Sequence, residues 1–423
     1  MRLKLHKTIS TMALALAASV SLACGSGPAF AETPSKDKMW EIIKQQQRQI
    51  QALKRRGGDP ENLKNSDSDA DGLFDEDFAG AGGWWTKTSL GGYGELHLNT
   101  GDKDQIDFHR YVLFINHDFN DWIKLYSELE LEHSLAGDGK PGEVELEQAY
   151  IHFDITEDRF GQVANAVSHV KLGLQLIPVG ILNANHEPPT FYGVERNDVE
   201  KNIIPTTWWE AGALIGGKLA DTGIFWDAMV HSGLDTKGKF TPRSGRQKVA
   251  EATSNNPAFT GRLGWTNGEG IEIAGVYQFQ SDVDPGNALG GDKAEGSLFE
   301  VHANIVQPIN DTTSFGLRAL YAQWDFDHAS FVAAGADEQV GYYIEPSVKF
   351  DLGNIGAIGF FYRYEMWDNT AGDAVASEFS RQTVGANYWP HENVVLKADY
   401  RMDDHDDVSK EDDRLDLGVG FQF

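Results

Sequence analysis

The sequence predicts an all-β fold: a transmembrane barrel of about sixteen antiparallel strands, preceded by a short helical, coiled-coil segment. Three observations carry this. The first is the carboxy-terminal run RLDLGVGFQF, where Leu415, Leu417, Val419, Phe421 and Phe423 alternate with Asp416, Gly418, Gly420 and Gln422. A period of two means a strand with one apolar face, and a frayed terminus rarely keeps so regular a pattern. The second is that stretches of about ten residues with the same alternation recur from Trp84 onward, between turn signals. The third is that the connections alternate between short and long, as they do in barrels that span an outer membrane.

Taken in order, residues 1–31 read as an export signal. They combine a basic start (Arg2, Lys4, Lys7), an apolar run from about Ile9 to Ala23, and the small-x-small site Ala29-Phe30-Ala31. A lipoprotein signal ending at Cys24 is the alternative. Cys24 is the chain's one cysteine, so the mature chain has none, which excludes an internal disulfide or a Cys-ligated zinc site. The net charge of −28 argues against a nucleic-acid partner. Beyond the signal no apolar run reaches about 18 residues, and a barrel is then the one spanning structure left.

Over residues 36–56, Met39, Ile43, Gln46, Ile50 and Leu53 step by four, three, four and three, the spacing of a coiled-coil seam with one polar position. Two heptads are marginal alone and gain from an oligomer that already holds the chains together. The alternative is a solvated helix lying on its own domain. Residues 57–83 form an acidic, glycine-rich linker. Within it Asp67, Asp69, Asp71 and Asp75, with Gly72 for a sharp turn, offer oxygen ligands at the spacing a hard cation such as calcium needs. A merely solvated acidic linker is the competing reading.

Residues 84–423 form the barrel. Strands centre on 88–99, 106–118, 122–133, 143–154, 168–177, 208–219, 223–231, 258–266, 270–280, 296–307, 312–324, 339–350, 355–366, 378–388, 393–403 and 414–423. Long loops fall at about 134–142, 178–207, 232–257, 281–295, 325–338, 367–377 and 404–413. The 155–167 connection is long where the pattern needs a short one. Trp122, Trp265, Trp389, Phe350 and Phe423 lie beside short turns and form a candidate interfacial belt.

If the apolar residues of each strand face lipid, the other set faces the lumen. That places Lys124, Glu128, Glu130, Glu132, Glu143, Glu145 and Glu147 inside on the early strands. Lys171, Lys218, Arg262, Arg318, Lys349, Arg363, Arg381, Lys397 and Arg401 fall inside on the later ones. Segregated signs would set a transverse field across a pore; the alternative is that the charges only solvate the interior and pair with one another. Strand four loses its alternation after Gln148. The 178–207 loop is long enough to act, is stiffened by Pro178, Pro188, Pro189 and Pro205, and carries His186, Glu187, Glu195, Arg196, Asp198 and Lys201. It is the candidate constriction, with an external lid or a subunit contact as the alternative.

The segments FHRYVLFINHDFNDWIKLYSELELEHSLAGDGKPGEVELEQAYIHFDI and HEPPTFYGVERNDVEKNIIPTTWWEAG resemble the phosphate-selective porin O/P family of Gram-negative outer membranes. The resemblance runs from about Leu90 to Phe423. It implies a sixteen-stranded trimeric porin with an inward third loop, and it likens the coiled coil to the periplasmic extension of relatives that take up dicarboxylic acids. The expected function is passive diffusion of small anionic solutes, phosphate or organic acids, across the outer membrane, with lipid around the barrel, no enzymatic activity and no required cofactor. The alternatives are a structural envelope protein or an outer-membrane hydrolase, for which His186 with Glu187 or His231 with Ser232 could be cast as catalytic groups. Among thirteen histidines, chance neighbours are common, and no nucleophile has a convincing base.

Overall fold

In the computed structural model, the described residues are 84–423, except 102–103, 220, 374–376 and 406. The signal at 1–31, the coiled coil at 36–56, the linker at 57–83 and its ligands Asp67, Asp69, Asp71 and Asp75 lie outside the described residues. The strands are β1 (Thr88–Asn99), β2 (Gln105–Asp118), β3 (Ile123–Glu132), β4 (Val144–Asp154), β5 (His169–Leu176), β6 (Trp209–Lys218), β7 (Ile224–His231) and β8 (Ala258–Thr266). They continue with β9 (Ile271–Gln280), β10 (Glu295–Asn310), β11 (Thr313–Asp327), β12 (Glu338–Asp351), β13 (Ala357–Asp368), β14 (Phe379–His391), β15 (Val394–His405) and β16 (Arg414–Gln422).

Each strand pairs antiparallel with its sequence neighbours, and β1 pairs with β16 to close the barrel. Closure uses the last residue of the chain: Gly92 N–H donates to Phe423 O at 3.0 Å, and Phe423 N–H donates to Gly92 O at 2.9 Å. Leu415, Leu417, Val419 and Phe423 are exposed on the outer face, whereas Asp416 is buried inside. The same alternation leaves Leu96, Leu129, Leu172, Phe259, Phe299 and Val384 outside, and these join in an apolar band. Among the described residues no helix is long and apolar enough to cross a membrane.

Short turns at 119–122, 267–270, 311–312, 352–356 and 392–393 share one rim with the β6–β7 connection, and the long loops share the other. The 155–168 connection also belongs to the short-turn rim. Its extra residues form a helix, α1 (Glu157–Phe160), and a 3-10 turn over Gly161–Asn165. Trp226 Nε1 donates to Ala166 O at 3.0 Å. β6 gives room for this, because a Cβ at Gly217 would lie 1.9 Å from that same carbonyl oxygen.

Two expectations are corrected or completed by register. Trp389 does not join the outer belt: it is 5% exposed and turns into the lumen, where its Nε1 donates to Pro189 O at 3.1 Å. Period two from Arg381 through Thr383 and Asn387, all buried, carries it inward. In β4 the pairing steps from Glu128↔Gln148 to Leu129↔Leu146, which leaves Glu147 as the extra residue of a bulge. The bulge lets Glu145, Glu147 and Gln148 all face inward and ends the simple alternation there.

The lumen is unevenly filled. The connection 177–208 folds into the barrel, and its Ile177, Ile181, Val199, Ile203 and Trp208 pack against inward residues of β6–β12, among them Leu214, Met229, Val276, Leu298, Leu320 and Trp324. Each fully buried side chain of this kind contributes about 1.5–3 kcal/mol. One side of the barrel therefore holds a packed apolar core.

Candidate functional site

The inward loop is laced to itself first. Asn183 Nδ2 donates to the carbonyls of Ile177 at 2.8 Å and Trp208 at 3.0 Å, and its Oδ1 accepts from Trp208 N–H at 2.7 Å. Glu200, in a short helix α2 (Val199–Asn202), accepts from the N–H groups of Ile181 at 2.9 Å and Leu182 at 2.7 Å and from Tyr343 Oη at 2.8 Å. A buried carboxylate with this many donors is satisfied, and it fixes the loop against β12.

The far edge of the loop is caught by the opposite strands. Asp399 Oδ2 accepts from Val194 N–H at 2.6 Å, and Glu365 Oε2 accepts from Asp198 N–H at 2.6 Å. Lys397 Nζ donates to Gly193 O at 2.8 Å, and Arg318 donates to Thr190 O at 2.8 Å. Glu195 accepts from Asn99 Nδ2 at 2.9 Å. On β3 and β4, His186 Nε2 lies 3.5 Å from Glu128 and 3.7 Å from Glu147. The loop therefore crosses the barrel and is held on both sides.

Beside the loop remains a cavity of about 570 Å³. Its acidic lining comes mostly from β1–β4 and the loop that follows β3: Glu95, Asp107, Glu132, Glu143, Glu145 and Glu147. Its basic lining comes mostly from two loops: Arg196 and Lys201 from 177–208, and Arg243, Arg246 and Lys248 from 232–257. Lys248 pairs with Glu143 at 2.9 Å and with Glu145. Among the described residues the other four form no ion pair. Arg196 donates to Thr207 Oγ1 at 3.0 Å, Arg243 to Thr206 O at 2.6 Å and Arg246 to Thr207 O at 2.5 Å. Burial, then the neighbouring guanidinium groups of Arg246 and Arg196, pull Arg243 down to about 9. Like charges crowd here, offset in part by the carboxylate of Glu132.

Of the basic residues expected to line a pore, Arg401 alone borders this cavity. The others serve the barrel wall or the loop. Lys124 pairs with Asp154 at 2.7 Å, Arg262 with Asp227, and Arg363 with Glu345 at 3.2 Å and Glu365 at 3.5 Å. Lys171 lies over Tyr150, Lys349 over Trp389 and Lys397 over Phe191. Arg381 joins Asp198 to Asp403, Arg318 reaches the loop backbone, and Lys218 is exposed at the end of β6. Period two identified an inward face; it carries no information on ion pairing.

The acids divide as well. Glu132, Glu143, Glu145 and Glu147 border the cavity, whereas Glu128 and Glu130 are buried beneath it, Glu128 with Tyr93 and Gln148, Glu130 with Arg110. From the loop, Glu195, Arg196, Asp198 and Lys201 border the cavity; His186 is buried away from it, and Glu187 stands before the turn at Pro188–Thr190 without a side-chain hydrogen bond to it. The bases of 232–257 were missed, although the stretch is visibly rich in glycine and basic residues. Ser232 Oγ donates to Glu210 while His231 Nε2 meets Thr260 Oγ1 at 2.9 Å, so these neighbours in sequence do not form a nucleophile and base.

No family model matches the chain. An uncharacterized protein of Aquifex aeolicus (strain VF5) is 31% identical over 365 residues, 79% of this chain and 80% of that protein. The chain belongs to that protein's family. This chain's barrel is similar to Salmonella typhi OmpF in its complex with daunomycin, with a TM-score of 0.54 and 12% identity over 79% of this chain and 97% of that one. It is also similar to the anion-selective porin from Comamonas acidovorans (0.52, 12%, 79% and 99%) and to the outer membrane channel DcaP of Acinetobacter baumannii (0.50, 12%, 79% and 97%). At these identities the likeness shows the fold: a closed antiparallel barrel of the porin kind.

Proposed function

We propose that the chain is an outer-membrane channel through which small hydrophilic anions, phosphate or organic acids, diffuse passively, and that it is not an enzyme. One observation carries the reading: Arg196, Lys201, Arg243 and Arg246 converge on the cavity with no carboxylate partner among the described residues. Cations whose neighbouring carboxylates lie beyond ion-pair distance attract a mobile anion, and low-dielectric walls focus their field. The carboxylates of β3 and β4 add a transverse component that orients a polar solute.

The porin-like fold supports a channel, and the apolar outer band supports lipid around it. The resemblance to the phosphate-selective porin O/P family and the fold shared with a porin described as anion-selective support the solute class. The coiled-coil spacing and the same resemblance support a homotrimer with the amino-terminal segment in the periplasm.

Reversal potentials in asymmetric salt, repeated with phosphate, malate and chloride, test the proposal. Replacing Arg196, Arg243 and Arg246 by Gln moves the potential toward cations, and replacing Glu132, Glu143 and Glu145 by Gln moves it toward anions. Both shifts shrink as salt rises, because exposed charges are screened over about 8–10 Å. Absence of ion flux across a planar bilayer sinks the channel; flux indifferent to both sets sinks the selectivity.

A further inference from the structure

We propose that Asp107, His109 and His133 form a site for a divalent transition-metal ion of the zinc, nickel or copper class at the long-loop mouth of the cavity. Asp107 Oδ2 lies 2.8 Å from His133 Nδ1 and 3.3 Å from His109 Nδ1. One ligand atom from each residue falls within 4.8 Å of the others. A tetrahedral ion with bonds of 2.0–2.1 Å separates its ligands by about 3.3–3.4 Å, so small rotations of the rings suffice to seat it.

The fold brings the three together by two local devices. Asp107 and His109 flank one residue near the start of β2, beside the register shift between Glu95 and His97 in the β1–β2 ladder. His133 follows the last residue of β3, and its N–H donates to His109 O at 3.1 Å, which continues the β2–β3 ladder by one step. Its φ of 51° and that of Ser134 at 50° are uncommon for residues other than glycine, and they turn the chain sharply at the ligand.

A neighbouring ring fixes the orientation of His109. The His97 ring stacks on it at 4.7 Å and 17°, and both nitrogens of His97 are engaged, one by Glu95 at 3.2 Å and the other by Glu195 at 3.2 Å. His97 is therefore not a ligand but a ring against which His109 packs. Asp107, His109 and His133 keep 20%, 24% and 31% of their side-chain surface exposed and border the cavity. Three protein ligands with one open side make an exchangeable site. Imidazole with carboxylate suits zinc, nickel or copper, whereas magnesium and calcium favour all-oxygen sets.

A bound dication overcompensates the single carboxylate of Asp107 and leaves net positive charge at the mouth, beside the loop cations. On the channel reading, it raises preference for anions. The binding itself stands apart from that reading.

The test uses the purified full-length protein with zinc chloride, compared by equilibrium dialysis with His109→Gln, His133→Ala and Asp107→Asn, each checked for an intact barrel by its heat-modifiable migration. The variants bind one zinc fewer per chain or bind it about tenfold or more weakly, with competition from nickel and copper and none from magnesium. Equal stoichiometry and affinity in all four proteins overturns the site. Cobalt(II) gives an independent readout on the unaltered protein: the visible absorption of tetrahedral cobalt is expected, and an octahedral spectrum alone overturns the site. In bilayers zinc moves the reversal potential toward anions for the wild type and not for His133→Ala. Zinc binding without that shift overturns the effect on selectivity and leaves the metal site standing.

Discussion

The two sides of the lumen are built from the same alternating strands and end in opposite environments. On the β6–β12 side the inward residues include Leu214, Met229, Leu298, Leu320 and Trp324, and the loop packs on them as in a dry protein core. On the β1–β4 side they include Glu95, Glu130, Glu145 and Glu147, and the cavity opens there. Alternation thus reports which residues face in; it does not report whether water is inside. In β11 both faces are apolar: Leu320, Ala322, Trp324 and Phe326 are buried inward while Phe315 is exposed outward, the pattern of a strand covered on both sides.

Removing what fills the dry side has the largest expected effect. Replacing residues 178–207 with a short turn is expected to raise single-channel conductance several-fold, since the loop both packs the apolar wall and bounds the cavity. Unchanged conductance would place the constriction elsewhere.

Single substitutions in the core and at the cavity differ in cost by less than this. Trp324→Ala empties a fully buried position and is expected to cost about 3–5 kcal/mol, whereas Glu132→Gln at the cavity should stay within about 0.5 kcal/mol. Urea midpoints of the folded barrel measure both, and equal losses would erase the distinction.

The smallest effect concerns the tie between loop and acidic wall. Burial opposes charge on His186, but Glu128 and Glu147 outweigh it and hold the imidazole up at about 10. Because this lies above the unfolded value of about 6.5, the stabilisation is complete below about pH 6.5 and is lost as pH rises through about 10. Current noise from loop motion should therefore grow on the alkaline side of that window, and His186→Gln should show it already at neutral pH. A wild-type trace that stays quiet to about pH 11 would count against the tie.

Strand number, the alternation of short and long connections, and the inward glutamates of β3 were legible because period two is a local property. Trp389 was legible too, by its parity with Arg381, but its place beside a turn pointed the other way. Partnerships were not legible: Arg363 meets Glu345 and Glu365 through pairing between strands and the side-chain spacing within one, and the loop is held by residues about 200 positions away, as with Lys397 and Gly193. The metal ligands show the same limit. Asp107 and His109 stand out as a pair in sequence, while His133 joins them only through the ladder.

One feature of β16 ties the closure of the wall to the filling of the lumen. β16 closes the seam, and it is also where the loop lands: a Cβ on Gly418 would lie 3.1 Å from Val194, and one on Gly420 would lie 2.3 Å from Pro188. The strand that closes the seam is thus also a seat for an element some 200 residues away in sequence. It follows that a barrel lacking β16 loses both its closed wall and one of the surfaces on which the loop rests. Closing the wall and supporting the loop become tasks of one strand.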